Sequence, residues 1–196
     1  MIYMMDRRLS QIATLSGLVG LIIPIGGIVA AYYPGFTWVN NDISDFGLYN
    51  QIFNWCLIIS GIFMGIFILT SSKLTEIQIG LLPRSFLLLA SAALSFLGIF
   101  PKNTPYSLHY IVAYIMFFLF PAALLLIWKN IKHHSTEAAN FTAVILITFL
   151  FIWFIYYLLR LIYGKLGLAI PETMSLILAM VWICAFIIKY IHKINN

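Results

Sequence analysis

The stretch from Ser107 to Trp128, SLHYIVAYIMFFLFPAALLLIW, decides the fold, because these 22 residues contain no aspartate, glutamate, lysine or arginine. A helix rises about 1.5 Å per residue and crosses the roughly 30 Å hydrocarbon core of a bilayer in about 20 residues. The run is continuous and lacks the alternation of apolar and polar residues that is typical of membrane barrel strands. This stretch therefore predicts one membrane-spanning helix.

Runs of the same kind fill most of the chain. Of the 196 residues, 63% are hydrophobic and 9% are charged, whereas an average soluble domain has about 25% charged residues. Eleven basic and six acidic side chains cannot cover a soluble surface, so soluble enzymes and disordered chains are excluded. The basic residues form no stripe, which argues against a nucleic-acid partner. We predict an all-α polytopic membrane protein, a single bundle over residues 1–196, with helices at about 9–33, 50–71, 81–100, 107–130, 138–163 and 171–191.

The distribution of basic residues predicts the orientation of this bundle. Six spans place both termini on one side of the membrane. That side would carry eight basic residues, which are Arg7, Arg8, Lys73, Arg84, Lys129, Lys132, Lys189 and Lys193, and the opposite side three, which are Lys102, Arg160 and Lys165. Because cytoplasmic loops carry the excess of lysine and arginine, we expect cytoplasmic termini in a multi-pass protein of the cell membrane.

Polar residues collect at the opposite membrane face. The topology brings three connections together there, and ionisable groups near the apolar zone are costly enough to indicate function. The candidate residues are Asn41, Asp42, Ser44, Asp45, Asn54, Lys102, His109, Arg160 and Glu172.

Purely structural roles for these residues stay open. The acidic and hydroxyl groups of the first loop are good caps for the second helix. His109 can belong to an interfacial aromatic belt, and Arg160 can extend its charge to the lipid headgroups. Glu172 follows a proline at the start of the last helix, where a negative charge complements the helix dipole.

Two segments at this face resemble a known family. They are NDISDFG at 41–47, followed by Asn54, and LGIFP at 97–101, followed by His109 and Tyr110. Together they resemble the signature of the prokaryotic domain-of-unknown-function family 998. The resemblance implies a six-helix membrane protein and carries no known activity.

The same segments are similar, more distantly, to the eukaryotic DRAM/Frag/Sfk family. In that family an Ile-Ser-Asp-x-Gly loop, here starting at Ile43, is paired with a Gly-x-Phe segment and a His-Tyr pair, here at Gly98 and His109. The resemblance implies six membrane helices and a connection with lipid-anchor remodelling or autophagy. This sequence has Asp42 where that family usually has a proline.

Three functions fit these observations, and whether the protein is an enzyme stays open. The first is a non-catalytic membrane module, either an accessory subunit or a sensor of lipids or partners, because no catalytic motif is present. The second is a lipid-modifying enzyme that transfers or hydrolyses acyl groups or headgroups at the outer leaflet. The third is a small transporter, although the middles of the spans carry no charge.

The enzymatic hypothesis assigns specific roles. His109 would be the general base, oriented by Asp42 or Asp45, with Ser44 or water as the nucleophile. Arg160 would hold an anionic headgroup. Asn41, Asn54, Lys102 and Glu172 would complete the binding site. No metal or cofactor is expected, and the expected partners are membrane lipids and other membrane-protein subunits. High isoleucine and tyrosine usage favours a prokaryotic, archaeal source.

Overall fold

The computed structural model describes residues 2–71 and 80–188, with the backbone alone for residues 2–7. These ranges are helical and contain no strand. Six helices are long and apolar enough to cross a membrane, which confirms the predicted fold class. They are α1 (Ile2–Ala31), α3 (Gln51–Ser71), α4 (Leu81–Ile99), α5 (Leu108–Ile131), α6 (Thr136–Tyr163) and α7 (Ala169–Phe186), joined by the short α2 (Phe46–Tyr49) and by 3₁₀ turns at Ile43–Asp45 and Pro105–Ser107.

The predicted boundaries differ from the observed ones mainly in the first helix. The helix begins at Ile2 rather than at residue 9, because the prediction followed hydropathy and charged or polar residues do not stop a helix. It ends at Ala31 rather than at residue 33, since Pro34 restricts the residue before it to extended conformations. The last helix begins at Ala169, which places Pro171 in the first turn, where its missing N–H is tolerated.

Some predicted features lie outside the described residues. Residues 189–191 of the sixth predicted span belong to this group. So do three of the basic residues that set the predicted orientation, which are Lys73, Lys189 and Lys193. The cytoplasmic location of the termini therefore stays a prediction.

The six long helices form a ring. Each packs against the next along the chain, and α7 returns to α1. Small residues allow close approach: a Cβ on Gly61 of α3 would collide with the backbone of Ser91 and Ser95 in α4. The Ser60 hydroxyl donates to the carbonyl of Gly20 at 2.5 Å, tying α3 to α1. The ring encloses a central space.

The buried apolar side chains of the bundle form two clusters. The larger lies toward the termini and includes Leu21, Phe67, Leu124 and Trp182. The smaller lies beneath the loop of residues 32–45, where Phe36, Phe46, Phe53 and Ala169 are buried. The rings of Phe36 and Phe46 stack at 4.3 Å. This smaller cluster anchors the loop at the end of the bundle opposite the termini, which we call the polar end.

Candidate functional site

The 32–45 loop is joined by backbone hydrogen bonds to the connection between α6 and α7. The N–H of Gly167 donates to the carbonyl of Val39 at 2.8 Å, and the N–H of Ala169 donates to that of Asn41 at 3.0 Å. A side chain at Gly167 would collide with the backbone of Asn41. Only glycine therefore lets the two loops approach this closely.

Lys102 lies at the centre of the polar end and joins the same loop to the connection between α4 and α5. Its ammonium is 2.6 Å from a carboxylate oxygen of Asp42 and 2.6 Å from one of Asp45. The remaining oxygen of Asp42 accepts from the N–H of Leu168 at 2.7 Å. The remaining oxygen of Asp45 accepts from the Asn41 amide at 3.1 Å and from the N–H of Asp42 at 3.0 Å. We call Asp42, Asp45 and Lys102 the clasp, because together they join all three connections.

Electrostatics in the clasp favour the charged forms of Asp45 and Lys102. Burial acts to raise the pKa of Asp45, but hydrogen bonds from Lys102, the Asp42 N–H and Asn41 outweigh it and hold the pKa below its usual range. Burial acts to lower the pKa of Lys102, but hydrogen bonds to Asp42 and Asp45 and their negative charges raise it above its usual range. Asp45 and Lys102 therefore form a carboxylate–ammonium pair at neutral pH.

His109 does not pair with a carboxylate. It is the second residue of α5, is 5% exposed, and its Nδ1 lies 2.8 Å from the carbonyl oxygen of Phe100. A carbonyl only accepts, so Nδ1 donates, and a neutral ring leaves Nε2 as an acceptor. The predicted orientation of His109 by Asp42 or Asp45 is wrong, because the Phe100 carbonyl binds Nδ1 and no hydrogen bond joins the ring to either aspartate in the described part of the chain.

Glu172 links the loop to α7. It lies in the first turn of that helix, is half-buried, and its Oε2 accepts from the N–H of Ile43 at 2.8 Å. The ammonium of Lys102 pairs with Asp42 and Asp45, and no described lysine or arginine forms an ion pair with Glu172. Glu172 therefore has no cationic partner in the part of the chain that the structure describes.

A cavity of about 220 Å³ opens between the helices beneath the clasp. At the polar end its wall includes Ile43, Ser44, His109 and Glu172. The Ser44 hydroxyl has no hydrogen-bond partner among the described residues. The rest of the wall is almost entirely apolar and extends to side chains near the opposite end, among them Phe67, Ile68, Leu87, Trp182 and Ile183.

The cavity is long compared with its volume. Glu172 and Ile183 lie on its wall eleven residues apart in α7, which corresponds to about 16 Å of helix. The hydroxyls of Ser60 and Ser91 also reach the wall but donate to backbone carbonyls. The Ser175 hydroxyl accepts from the Trp153 indole at 2.9 Å. At the polar end, in contrast, the described hydrogen bonds leave the Ser44 hydroxyl, Nε2 of His109 and Oε1 of Glu172 without a protein partner.

Four predicted headgroup-binding residues have structural contacts instead of a place on the cavity wall. Asn41 accepts from the N–H of Thr37 at 2.9 Å, and Asn54 donates to the carbonyl of Gly47 at 2.9 Å. Lys102 is held in the clasp. Arg160 is exposed and donates to the Tyr156 hydroxyl at 3.2 Å. These residues hold the loops and helix ends around the cavity.

Sequence reasoning missed the backbone groups that complete the site. The carbonyl of Phe100 and the N–H groups of Ile43 and Leu168 bind predicted site residues, and no side-chain pattern signals them. It also missed the hydrogen bond between Trp153 and Ser175. A serine within an apolar helix could have indicated such a bond to a neighbouring helix. Among the described residues, no group of three or more histidine, cysteine, aspartate or glutamate side chains could hold a metal ion.

Comparison with protein families places the chain. Residues 15–189 match the DUF998 family, described as proteins of unknown function. The chain belongs to this family. The match covers α1 from residue 15 onward, the other five long helices and every candidate residue of the polar end. No curated protein and no solved structure matches the chain, so the more distant likeness to the DRAM/Frag/Sfk family stays a prediction.

Proposed function

We propose that this family member is a non-catalytic membrane module that binds one single-chain lipid inside its helical ring. The observation that carries the proposal is the cavity, which has polar groups at one end and apolar side chains along the rest. A lipid has the same division, with a polar head and a hydrocarbon chain. We further propose that the protein resides in the cell membrane with its polar end outside, which a fluorescent reporter fused to the C-terminus tests.

The dimensions of the cavity favour one chain. Pockets for drug-sized ligands measure roughly 300–1,000 Å³, and this cavity of about 220 Å³ is smaller. Its length along α7 and its small volume suit one slender hydrocarbon chain better than the two chains of a phospholipid. A chain gains free energy in the cavity through dispersion contacts with side chains such as Phe120 and Trp182, because an empty apolar cavity forfeits those contacts.

The contacts within the clasp favour a role in lipid binding over a role in catalysis. Lys102, Asp42 and Asp45 bind one another and the neighbouring backbone, so they form a structural network rather than a reactive group. Through Ile43 and Ser44, the same loop contributes directly to the cavity wall. A bound head would therefore contact the loop, and this contact offers a route from lipid occupancy to a partner at the membrane surface.

Filling the cavity tests the proposal. Ala113 and Ala179 line the cavity from α5 and α7, and phenylalanine at either position would occupy the space of a chain. Val144 of α6 is 59% exposed on the outside of the bundle, so Val144→Phe is the matched control. We expect native mass spectrometry to detect one bound single-chain lipid on the wild type and on Val144→Phe, and none on Ala113→Phe or Ala179→Phe. Equal lipid occupancy in all four proteins would contradict the proposal.

A lipid-modifying enzyme is the second candidate, because Ser44 and His109 line the same cavity. The anchored Nδ1 leaves Nε2 of His109 as an acceptor for a proton from a hydroxyl or water. Mass spectrometry of native lipids incubated with wild type and with His109→Gln separates the two functions. A product formed by the wild type and absent with the folded variant favours the enzyme, whereas identical lipid profiles favour the binding module.

A further inference from the structure

We infer that the head of the bound chain is cationic, an ammonium group that pairs with Glu172. This inference rests on the proposed function, since it names the class of single-chain lipid that the cavity takes. The observation behind it is a half-buried carboxylate on the cavity wall with no cationic partner among the described residues.

The charges close to the cavity are unbalanced. Asp42 and Asp45 bind the ammonium of Lys102, whereas Glu172 accepts from the backbone N–H of Ile43 and has no described cation beside it. Lys102 lies within reach of both aspartates and is committed to them at 2.6 Å each. Arg160 and Lys165 are exposed at the end of α6 and do not line the cavity. An ionisable group at membrane depth is normally paired, and for Glu172 the bound ligand supplies the pair.

Hydrogen bonding points to the same head. The acceptors on this part of the wall are the Glu172 carboxylate and Nε2 of a neutral His109, while Ser44 offers a free hydroxyl. An ammonium has three donors and no acceptor, so it suits this set. A carboxylate or phosphate head would bring a second negative charge beside Glu172 in a medium of low dielectric, which is strongly unfavourable. A neutral alcohol would bond to the wall but leave the charge of Glu172 uncompensated.

Three probes with the same chain test the inference: dodecylamine, dodecanol and dodecanoate, each titrated into the full-length protein in phosphatidylcholine nanodiscs at a mildly alkaline pH. We expect dodecylamine to bind about tenfold more tightly than dodecanol, on the scale of a close charge pair, and dodecanoate to bind most weakly. In Glu172→Gln the advantage of the amine over the alcohol disappears. The matched control is Glu137→Gln, an exposed acid in the first turn of α6 near the opposite end, which keeps the wild-type order.

Each outcome separates this inference from the proposed function. Failure of all three probes to bind would contradict the proposed function itself. Binding of dodecanol or dodecanoate as tightly as dodecylamine would leave the lipid-binding function standing and overturn the cationic head. The comparison of probes on the wild type needs no variant, so it decides the question even where Glu172→Gln fails to fold.

Discussion

At the scale of single residues, the sequence identifies the candidate side chains but not their partners. It places Asp42, Asp45 and Lys102 at one membrane face, yet it assigns Lys102 to a headgroup. The partners of Lys102 lie 57 and 60 residues away in the chain, and packing at that separation leaves no local signal. The pairing of His109 with a carbonyl is hidden for the same reason, since every residue has a carbonyl.

Removing the charge of Lys102 should destabilise the protein. Surface ion pairs contribute about 0–1 kcal/mol and breaking a buried pair costs about 3–5 kcal/mol. The Lys102 side chain is 20% exposed and holds two carboxylates, so we expect Lys102→Met to lower the free energy of unfolding by about 2 kcal/mol. Thermal unfolding in nanodiscs measures the loss of stability as a lower Tm. Lys165→Met, which changes an exposed lysine at the same end, is the control, and an equal Tm for the two variants would argue against the clasp.

The clasp should also make stability depend on pH. The folded pKa of Asp45 is lowered, so its contribution is present above its unfolded pKa of about 3.9 and is lost as the pH falls through the folded value. The pKa of Lys102 is raised, so its contribution is present below its unfolded pKa of about 10.4 and is lost as the pH rises through the folded value. We expect the acid decline in Tm to be shallower in Asp45→Asn. Parallel declines in wild type and variant would show that Asp45 does not contribute.

At the scale of elements, hydropathy predicts the helices well and the loops poorly. The bilayer requires about 20 apolar residues for each span and internal hydrogen bonds within it. These requirements fixed five of the six long helices to within about two residues at each described end. The path of the 32–45 loop depends instead on the backbone N–H groups of Gly167, Leu168 and Ala169. Every residue except proline has such a group, so the residue types do not predict these contacts.

Gly167→Ala should open the polar end. An added Cβ would meet the backbone of Asn41, so the two loops must separate and lose their hydrogen bonds. We expect a loss of about 1–3 kcal/mol in stability and weaker lipid retention. Gly26 in α1 is the control: a Cβ added there would have no neighbour within 4 Å, and Gly26→Ala should be neutral or stabilising in a helix. Thermal unfolding measures the Tm of both variants, and equal Tm values would contradict the close approach of the loops.

At the scale of the whole molecule, the ring of helices and its cavity are the features that the sequence leaves open. The order of packing follows from short connections, which place consecutive helices side by side. The cavity does not follow from it. The side chains on its wall, such as Leu57, Phe67 and Trp182, have the same residue types as those that face lipid. Only the three-dimensional packing separates the inward from the outward positions.

The most direct test of a lipid chain inside the ring uses Trp182, which is 5% exposed and lies on the cavity wall far from Glu172. Bromine quenches indole fluorescence on contact, so a terminally brominated dodecylamine reports where its chain ends. We predict saturable quenching in the wild type, competed by unbrominated dodecylamine, with most of the saturable signal lost in Trp182→Phe. Quenching that never saturates, or that is the same in Trp182→Phe, would show that the chain stays in the bilayer and would contradict the account.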